Sequence, residues 1–371
     1  MWTGQEKRID ACGVVVVGAG LTGAAVAARL ARDGFDTAVL EAQTVAGGAT
    51  GRSAGMVLAG LAGHYNWAVA AYGRSRARDA WALTVEGQMR LIESADRLGV
   101  PVERTGSLAL AVEEAEVEAM AESAELLGED GFGVQLELTD PLNRGFLAAL
   151  RQPADVVVDT LALARRLLSE SGVTIHEHTE VYSLERERDG VRVWAQGRTV
   201  FCDAVVLAID GYAPLFDAYF ADKVAPMRSL VFTTEPLDGV VLSQPCSADY
   251  GYEYCRQLPD RRLLIGGWRR PAQSGESQAD PDDPVRDGLV RFTTRYFPEV
   301  ETDRADHRSG TMGFTPDGLP LVGWLPHLSR VYFAVGLGSR GLAWTFVVAD
   351  RLVELMLHDT DPGILSAARL G

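Results

Sequence analysis

Lysine is almost missing from this chain. Lys7 and Lys223 are the only two among 35 basic residues, and the rest are arginine. Chemistry that needs a lysine Schiff base therefore has few candidates. Positive charge is short overall: 35 Lys+Arg against 51 Asp+Glu leave a formal charge of −16 and a pI near 4.9. Such a balance speaks against a nucleic-acid partner, which needs clustered Lys/Arg, and against an anionic membrane surface. Cysteine is sparse as well. Cys12, Cys202, Cys246 and Cys255 make no CxxC and no zinc spacing, so buried free thiols and no metal site are expected. Nothing approaches the ~20 apolar residues of a membrane-spanning helix, and the opening MWTGQEKRID lacks a leader's apolar stretch. No 20–50-residue repeat is visible. The expectation is a cytoplasmic protein with no membrane partner. With 47% hydrophobic and 23% charged residues, the composition is that of a globular protein with a sizeable core, and 371 residues allow two domains.

What is present has a clear order. Gly13 to Val17 is a continuous apolar run, the pattern of a strand buried on both faces of a parallel sheet. Glycines follow, then an alanine-rich helix through Arg32, a turn at Asp33-Gly34, and a second strand, Thr37 to Glu41. That is a βαβ opening. Amphipathic helices are expected at 77–98 and 112–128, with a strand at 107–112. From 155 to 211 the texture is α/β again, with a helix at 160–171 and strands at 173–175, 191–195 and 204–209. An antiparallel sheet is expected from 225 to 302 (229–233, 251–257 and 262–268), interrupted by a polar loop from 272 to 284. A strand at 331–335 and a helix at 342–358 close the chain. The fold class is α/β: a discontinuous Rossmann-like nucleotide domain (10–60, 150–225 and 303–371) with an inserted domain of antiparallel sheet plus helices (61–149 and 226–302).

Gly18-Ala19-Gly20-Leu21-Thr22-Gly23 is a GxGxxG in its required context, after a buried strand and at the start of a helix, with Glu41 ending the next strand 23 positions on. Gly18 makes the tight turn, Gly20 admits a pyrophosphate to the backbone, and Gly23 packs helix on strand. Pyrophosphate sits on the positive helix end, while Glu41 accepts from ribose hydroxyls. The motif alone does not separate NAD from FAD. The stretch Gly47-Gly48-Ala49-Thr50-Gly51-Arg52-Ser53-Ala54-Gly55-Met56 does, because a plain NAD domain would continue into another helix–strand unit. Here the chain resembles the D-amino-acid oxidase, glycine oxidase and sarcosine oxidase superfamily, flavoproteins of the glutathione-reductase type.

Three more segments carry the likeness along the chain: residues 156–181, residues 203–214, and Gly310-Thr311-Met312-Gly313-Phe314-Thr315-Pro316-Asp317-Gly318. The resemblance implies bound FAD held by Gly18, Gly20, Leu21, Thr22, Gly23, Glu41 and Ala42. It adds Gly48, Ala49, Thr50, Gly51, Arg52, Ser53, Ala54, Gly55 and Met56, then Val181, Ala208, Gly211, Gly313 and Asp317. A second GxGxxG, Gly336 to Gly341, read naively suggests NADPH, but no further strand or acidic partner completes a βαβ unit after it. By resemblance, Gly336, Gly338, Ser339, Gly341 and Leu342 instead form the helix end that faces the flavin and favours its reduced anion.

Arg340 opposes the dipole of that helix, an unfavourable place that calls for an anionic partner. Relatives with an arginine near this point act on carboxylated substrates, so Arg340 is the candidate carboxylate anchor. Aromatic residues Tyr252, Tyr254, Trp268, Trp324 and Trp344 are expected on the substrate side, with Trp268, Trp344 and Tyr254 as lining candidates and His64 as a further contact. Departures also matter. Ser309 to Thr311 contain no tethering cysteine, Arg52 and Ser53 stand where other relatives have a histidine, and non-covalent FAD follows. Leu264 stands where sarcosine oxidases place an oxygen-activating lysine.

The expected activity is oxidation of the C–N bond of a small-molecule amine or amino acid by hydride transfer to flavin N5. The imine hydrolyses, and oxygen or another acceptor takes the electrons. Two alternatives stay open: a dehydrogenase or desaturase of a larger amine metabolite using a non-oxygen acceptor, and a flavin-carrying subunit of a heteromeric complex.

Overall fold

Four consecutive valines at the end of the strand Arg8–Val17 feed two cores. Val14 and Val16 pack on one face of the sheet, Val15 and Val17 on the other, as the period of two along a strand requires. The computed structural model describes residues 8–271, 284–302 and 304–371. The polar loop expected from 272 to 284 lies, apart from residue 284, outside the described residues. The helices are α1 (Leu21–Arg32), α2 (Ala49–Arg52), α3 (Tyr65–Tyr72), α4 (Arg74–Arg97), α5 (Glu114–Glu129), α6 (Thr160–Ser171), α7 (Ala213–Phe216), α8 (Pro284–Tyr296) and α9 (Gly341–His358).

The first sheet runs in the order Val181–Arg186, Val191–Ala195, Arg198–Leu207, Arg8–Val17, Thr37–Leu40, Thr174–His176. Arg8–Val17 is parallel to both of its neighbours, which confirms the βαβ opening. Arg198–Leu207 divides its other edge. Its first half takes Val191–Ala195 antiparallel, and Val205 to Leu207 take Val331–Val335 in parallel. Leu21 and Leu30 of α1, Leu163 and Leu167 of α6, and Val348 and Leu352 of α9 cover the face of Val14 and Val16. Helix α4 crosses α9 so closely that a Cβ on Gly87 would lie 1.9 Å from the Ala343 carbonyl oxygen.

The second sheet is ordered Asp306–Phe314, Ala225–Thr233, Leu263–Pro271, Glu253–Gln257, Cys246–Ala248, Ser107–Ala111, Ala148–Gln152, Gln135–Glu137. It is mixed rather than antiparallel throughout, because Cys246–Ala248 runs parallel to Ser107–Ala111. It also extends past residue 302, since Asp306–Phe314 pairs along the whole of Ala225–Thr233. Leu230 and Phe232 pack with Leu289 and Phe292 of α8, so alternation turns Ser229 and Val231 to the opposite face, where they border a cavity. The strand expected at 251–257 begins only at Glu253, because Asp249, Tyr250 and Gly251 all have positive φ and form a turn. A small sheet of Met56–Val57, Val156–Val158 and Val102–Glu103 lies beside the glycine-rich segment. Among the described residues no helix is long and apolar enough to cross a membrane.

Candidate active site

A cavity of about 750 Å³ runs between the two large sheets, within the range of small-molecule and cofactor sites. At one end, Gly18 has φ +100°, and a Cβ there would lie 2.6 Å from the Ala208 carbonyl oxygen, so only glycine fits. Gly20 is the N-cap of α1, and no side chain caps it. Gly23 is needed for packing rather than lining: a Cβ would lie 1.9 Å from the Gly18 carbonyl oxygen. The Glu41 carboxylate is held from both sides, accepting from Ala19 N and Gln43 N at 2.8 Å each. Gly18, Gly20, Leu21, Thr22, Glu41, Ala42, Val181 and Ala208 all border the cavity.

The glycine-rich segment folds into α2 against this end. Thr50 Oγ1 accepts from Leu21 N at 3.0 Å, while the Thr50 carbonyl accepts from the Thr160 hydroxyl at 2.7 Å. Arg52 donates to the Ser309 carbonyl at 2.9 Å, tying the segment to Asp306–Phe314. Gly48, Ala49, Thr50, Arg52, Ser53, Ala54 and Met56 line the cavity. Gly51 and Gly55 do not; Cβ atoms there would lie 2.4 Å and 2.2 Å from the carbonyl oxygens of Ala46 and Val158. These two glycines let backbones meet beneath the lining.

The opposite wall depends on a residue that the sequence reading did not single out. Asp210 ends the strand Arg198–Leu207 region in a left-handed conformation, φ +43°. Its carboxylate accepts from Gly313 N at 2.8 Å and from Leu337 N at 3.0 Å, with the backbone groups of Gly336 and Gly211 also close. Burial pushes its carboxyl above the usual range, against those N–H donors. Asp210 itself borders the cavity, whereas Gly211, Gly313 and Gly336 support it from behind. An acidic residue before a glycine at the end of a parallel strand is the signal that would have found it. Asp317 stands away from the cavity lining. It is committed to Arg369 through two bonds of 2.7 and 3.0 Å, and its backbone carbonyl accepts a short bond from the Tyr72 hydroxyl.

Arg340 is the N-cap of α9. It borders the cavity together with Gly338, Ser339, Gly341 and Leu342. Its Nη1 donates to the Ala59 carbonyl at 3.3 Å. Behind Ala59 lies Asp155, 1% exposed, which accepts from Ala59 N (3.0 Å), Gln88 Nε2 (2.8 Å) and the Ser107 hydroxyl (2.6 Å). Burial pushes the Asp155 carboxyl up; its hydrogen bonds and the charge of Arg340 hold it down, and the net direction is upward. No local pattern in the sequence singles out Asp155.

Among the described side chains the aromatic candidates are not brought together. Tyr254 borders the cavity, over Gly266, where a Cβ would meet its ring at 2.4 Å. Trp344 is 1% exposed and belongs to the core under α9. Tyr252 and Trp324 are exposed, and the side chain of Trp268 lies outside the described residues. His64 is the buried N-cap of α3, 3.1 Å from a Glu116 carboxylate oxygen and packed edge-on against Trp67 and Tyr250. With Arg340 it lines a separate cavity of about 20 Å³, room for a single water. Among the described residues no cluster of His, Cys, Asp or Glu is arranged to hold a metal.

Two helix N-termini whose own N-cap residues supply no capping side chain, those of α1 and α9, open on the same cavity. Both are positive ends suited to anionic groups. Gly48 leaves open space where a Cβ would stand, and Gly20 leaves only Thr50 Oγ1 within 4 Å of that point. This lining fits a long dinucleotide with its pyrophosphate at α1. Residues 13–355 match the DAO family, described as FAD dependent oxidoreductase. The chain is 27% identical to gamma-glutamylputrescine oxidoreductase of Escherichia coli (strain K12) over 94% of its length and 84% of that protein's. It is 26% identical to glycine oxidase of Bacillus licheniformis, over 95% of this chain and 94% of that one. The structure of glycine oxidase from Geobacillus kaustophilus superposes with a TM-score of 0.79 at 22% identity, over 96% of this chain and 98% of the other. The protein is an FAD-binding enzyme that belongs to the DAO family of FAD-dependent oxidoreductases.

Proposed function

We propose that this enzyme oxidises the C–N bond of an amine or amino acid whose carboxylate pairs with Arg340. The observation that carries this reading is Arg340 itself, a guanidinium on the cavity wall, braced by the Ala59 carbonyl at the N-terminus of α9. A planar fork held from behind suits a bidentate carboxylate. Relatives named for glycine and for 4-methylaminobutanoate support a substrate that carries both nitrogen and a carboxylate. When bound, FAD supplies the two-electron acceptor. The chain's own contribution is to bind and orient: α1 and Thr50 take the pyrophosphate, Glu41 the ribose, and the N-terminus of α9 stabilises negative charge. Tyr254, Ser229 and Val231 shape the substrate side, on the unit formed by 61–149 and 226–302. FAD is non-covalent in this reading, and the enzyme acts in the cytoplasm on small molecules.

A panel of amines and amino acids, mixed anaerobically with the holoenzyme and read by loss of flavin colour, tests the proposal. Bleaching by carboxylated amines and not by their decarboxylated analogues is expected; the reverse preference overturns it. A second reading, electron transfer to an acceptor other than oxygen, is favoured by Leu264. It packs with Ala54 and Val231 in an apolar cluster beside the cavity, where the resemblance to sarcosine oxidases calls for an oxygen-activating lysine. Reoxidation in air slower than with an artificial acceptor supports it.

A further inference from the structure

Cys246 and Cys255 stand directly opposite one another on the antiparallel strands Cys246–Ala248 and Glu253–Gln257. Their Sγ atoms are 2.7 Å apart, closer than van der Waals contact and only about 0.7 Å longer than an S–S bond. Directly opposed residues of an antiparallel pair have the Cα separation a disulfide requires. Both side chains are fully buried in the core under α8.

The other two cysteines supply an internal contrast. Cys12 and Cys202 are also register partners, on parallel strands. Each of their thiols, however, donates to a backbone carbonyl at 3.6 Å, Cys12 to Val14 and Cys202 to Val191. Register alone does not bring two sulfurs together; only the Cys246–Cys255 pair is in sulfur–sulfur contact among the described cysteines.

The pair also has a particular place relative to the cavity. Alternation puts Cys246 and Cys255 in the core and their neighbours Ser247 and Tyr254 on the cavity wall. Between the strands run Asp249, Tyr250 and Gly251, with φ of +50°, +55° and +81°, and Gly251 borders the cavity too. A bond between the two sulfurs would close this hairpin at its base.

We propose that Cys246 and Cys255 are a redox-modifiable pair that hydrogen peroxide converts into a cross-strand disulfide, fixing the hairpin that carries Ser247, Gly251 and Tyr254. One thiolate attacks the peroxide, whose O–O bond breaks to give a sulfenic acid and one water. The second thiol then displaces the sulfenic oxygen as a second water. Two thiols lose two protons and two electrons, and the peroxide is reduced to two waters. Burial and the neighbouring thiol push the Cys255 pKa well above its ordinary value, so closure is slow at neutral pH and faster as pH rises.

The test uses the full-length holoenzyme treated with hydrogen peroxide, then denatured, alkylated and digested without reduction. The expected result is a linked Cys246–Cys255 peptide, lighter by two hydrogens and recovered as two peptides after dithiothreitol, with Cys12 and Cys202 alkylated. Alkylation of all four cysteines, oxidation of Cys246 or Cys255 without linkage, or equal linkage of Cys12 to Cys202 overturns the proposal. Locking of the hairpin has its own readout. Amide exchange across 249–252 should slow in the oxidised protein, and the thermal midpoint should rise by about 3 °C, reversibly with dithiothreitol. In Cys255→Ser neither change should follow peroxide. If the disulfide forms while exchange and midpoint stay unchanged, the hairpin was already rigid and the locking role is wrong.

Discussion

Asp155 and Arg340 are tied to the two ends of one residue. Ala59 N–H donates to Asp155 Oδ1 at 3.0 Å, and the Ala59 carbonyl accepts from Arg340 Nη1 at 3.3 Å. Gln152 Nε2 donates to the same carbonyl at 3.1 Å. The cavity arginine thus rests on a backbone segment whose position is set by a buried carboxylate. This is an arrangement for holding a guanidinium in place rather than for moving protons.

Asp155→Asn should therefore act through Arg340. The amide keeps the shape but loses the charge and one acceptor. We expect KM for carboxylated substrates to rise about tenfold, equivalent to about 1.4 kcal/mol, with kcat and FAD content nearly unchanged. The variant also has a signature in stability. Because the native Asp155 pKa is raised, its contribution to stability is fully present below the ordinary carboxylate pKa and is lost as pH rises through the native value. Thermal midpoints from pH 4 upward should consequently fall more steeply for the wild type than for Asp155→Asn. Parallel curves would show that the buried carboxyl is not perturbed.

Arg340→Ala removes the proposed anchor. Truncating one partner of a buried charged pair costs on the order of 2–5 kcal/mol, a roughly 30- to several-thousand-fold rise in Kd. Arg340→Lys should recover only part of this, because an ammonium lacks the planar fork. FAD content should stay near wild type. Uncarboxylated amines should be nearly indifferent to either change; equal losses for both substrate classes would assign Arg340 a structural role.

The contrast between these residues shows what a sequence can reveal. The place of Arg340 on the cavity wall is legible because a cation at a helix N-terminus is locally unfavourable and asks for an explanation. The βαβ opening is legible because its glycines, valines and Glu41 are all consecutive and local. Asp155 is not, since its donors, Ala59 N among them, come from segments distant in sequence; Asp210 shows only as an acidic residue before a glycine, and its donors Gly313 N and Leu337 N lie far along the chain. Trp344 was misleading for a related reason. A tryptophan in the first turn of α9 can face either the cavity or the core; Trp344 lies in the core, next to Ala343, which α4 approaches closely at Gly87. The pairing of Asp306–Phe314 with Ala225–Thr233 is likewise set by long-range register, which strand patterns do not encode.

The cavity lining contains neither cysteine nor histidine among the described residues, so the side chains that most readily tether a flavin are lacking. Acid precipitation of the purified holoenzyme should leave a colourless pellet and a yellow supernatant whose chromatographic behaviour is that of FAD. Colour retained in the pellet would falsify non-covalent binding.

Gly20 and Gly23 separate binding from folding. Gly20 has ordinary extended backbone angles (φ −68°, ψ 177°), and an added Cβ would find only Thr50 Oγ1, at 3.3 Å. The branched side chain of Gly20→Val would project into the space where pyrophosphate approaches α1, at little cost to the apoprotein. That variant should purify folded, with an apoprotein thermal midpoint close to wild type, and without flavin. In Gly23→Ala the new methyl lies 1.9 Å from the Gly18 carbonyl oxygen, a rigid backbone neighbour that must move. Overpacking of this kind costs about 1–3 kcal/mol, so the apoprotein midpoint should fall by several degrees, and flavin affinity should drop because the α1 N-terminus shifts. Flavin-to-protein ratios and apoprotein melting curves measured on both variants decide the matter. Stoichiometric flavin in Gly20→Val would mean that the pyrophosphate does not approach the N-terminus of α1, and the whole orientation of the cofactor in the cavity would have to be reversed.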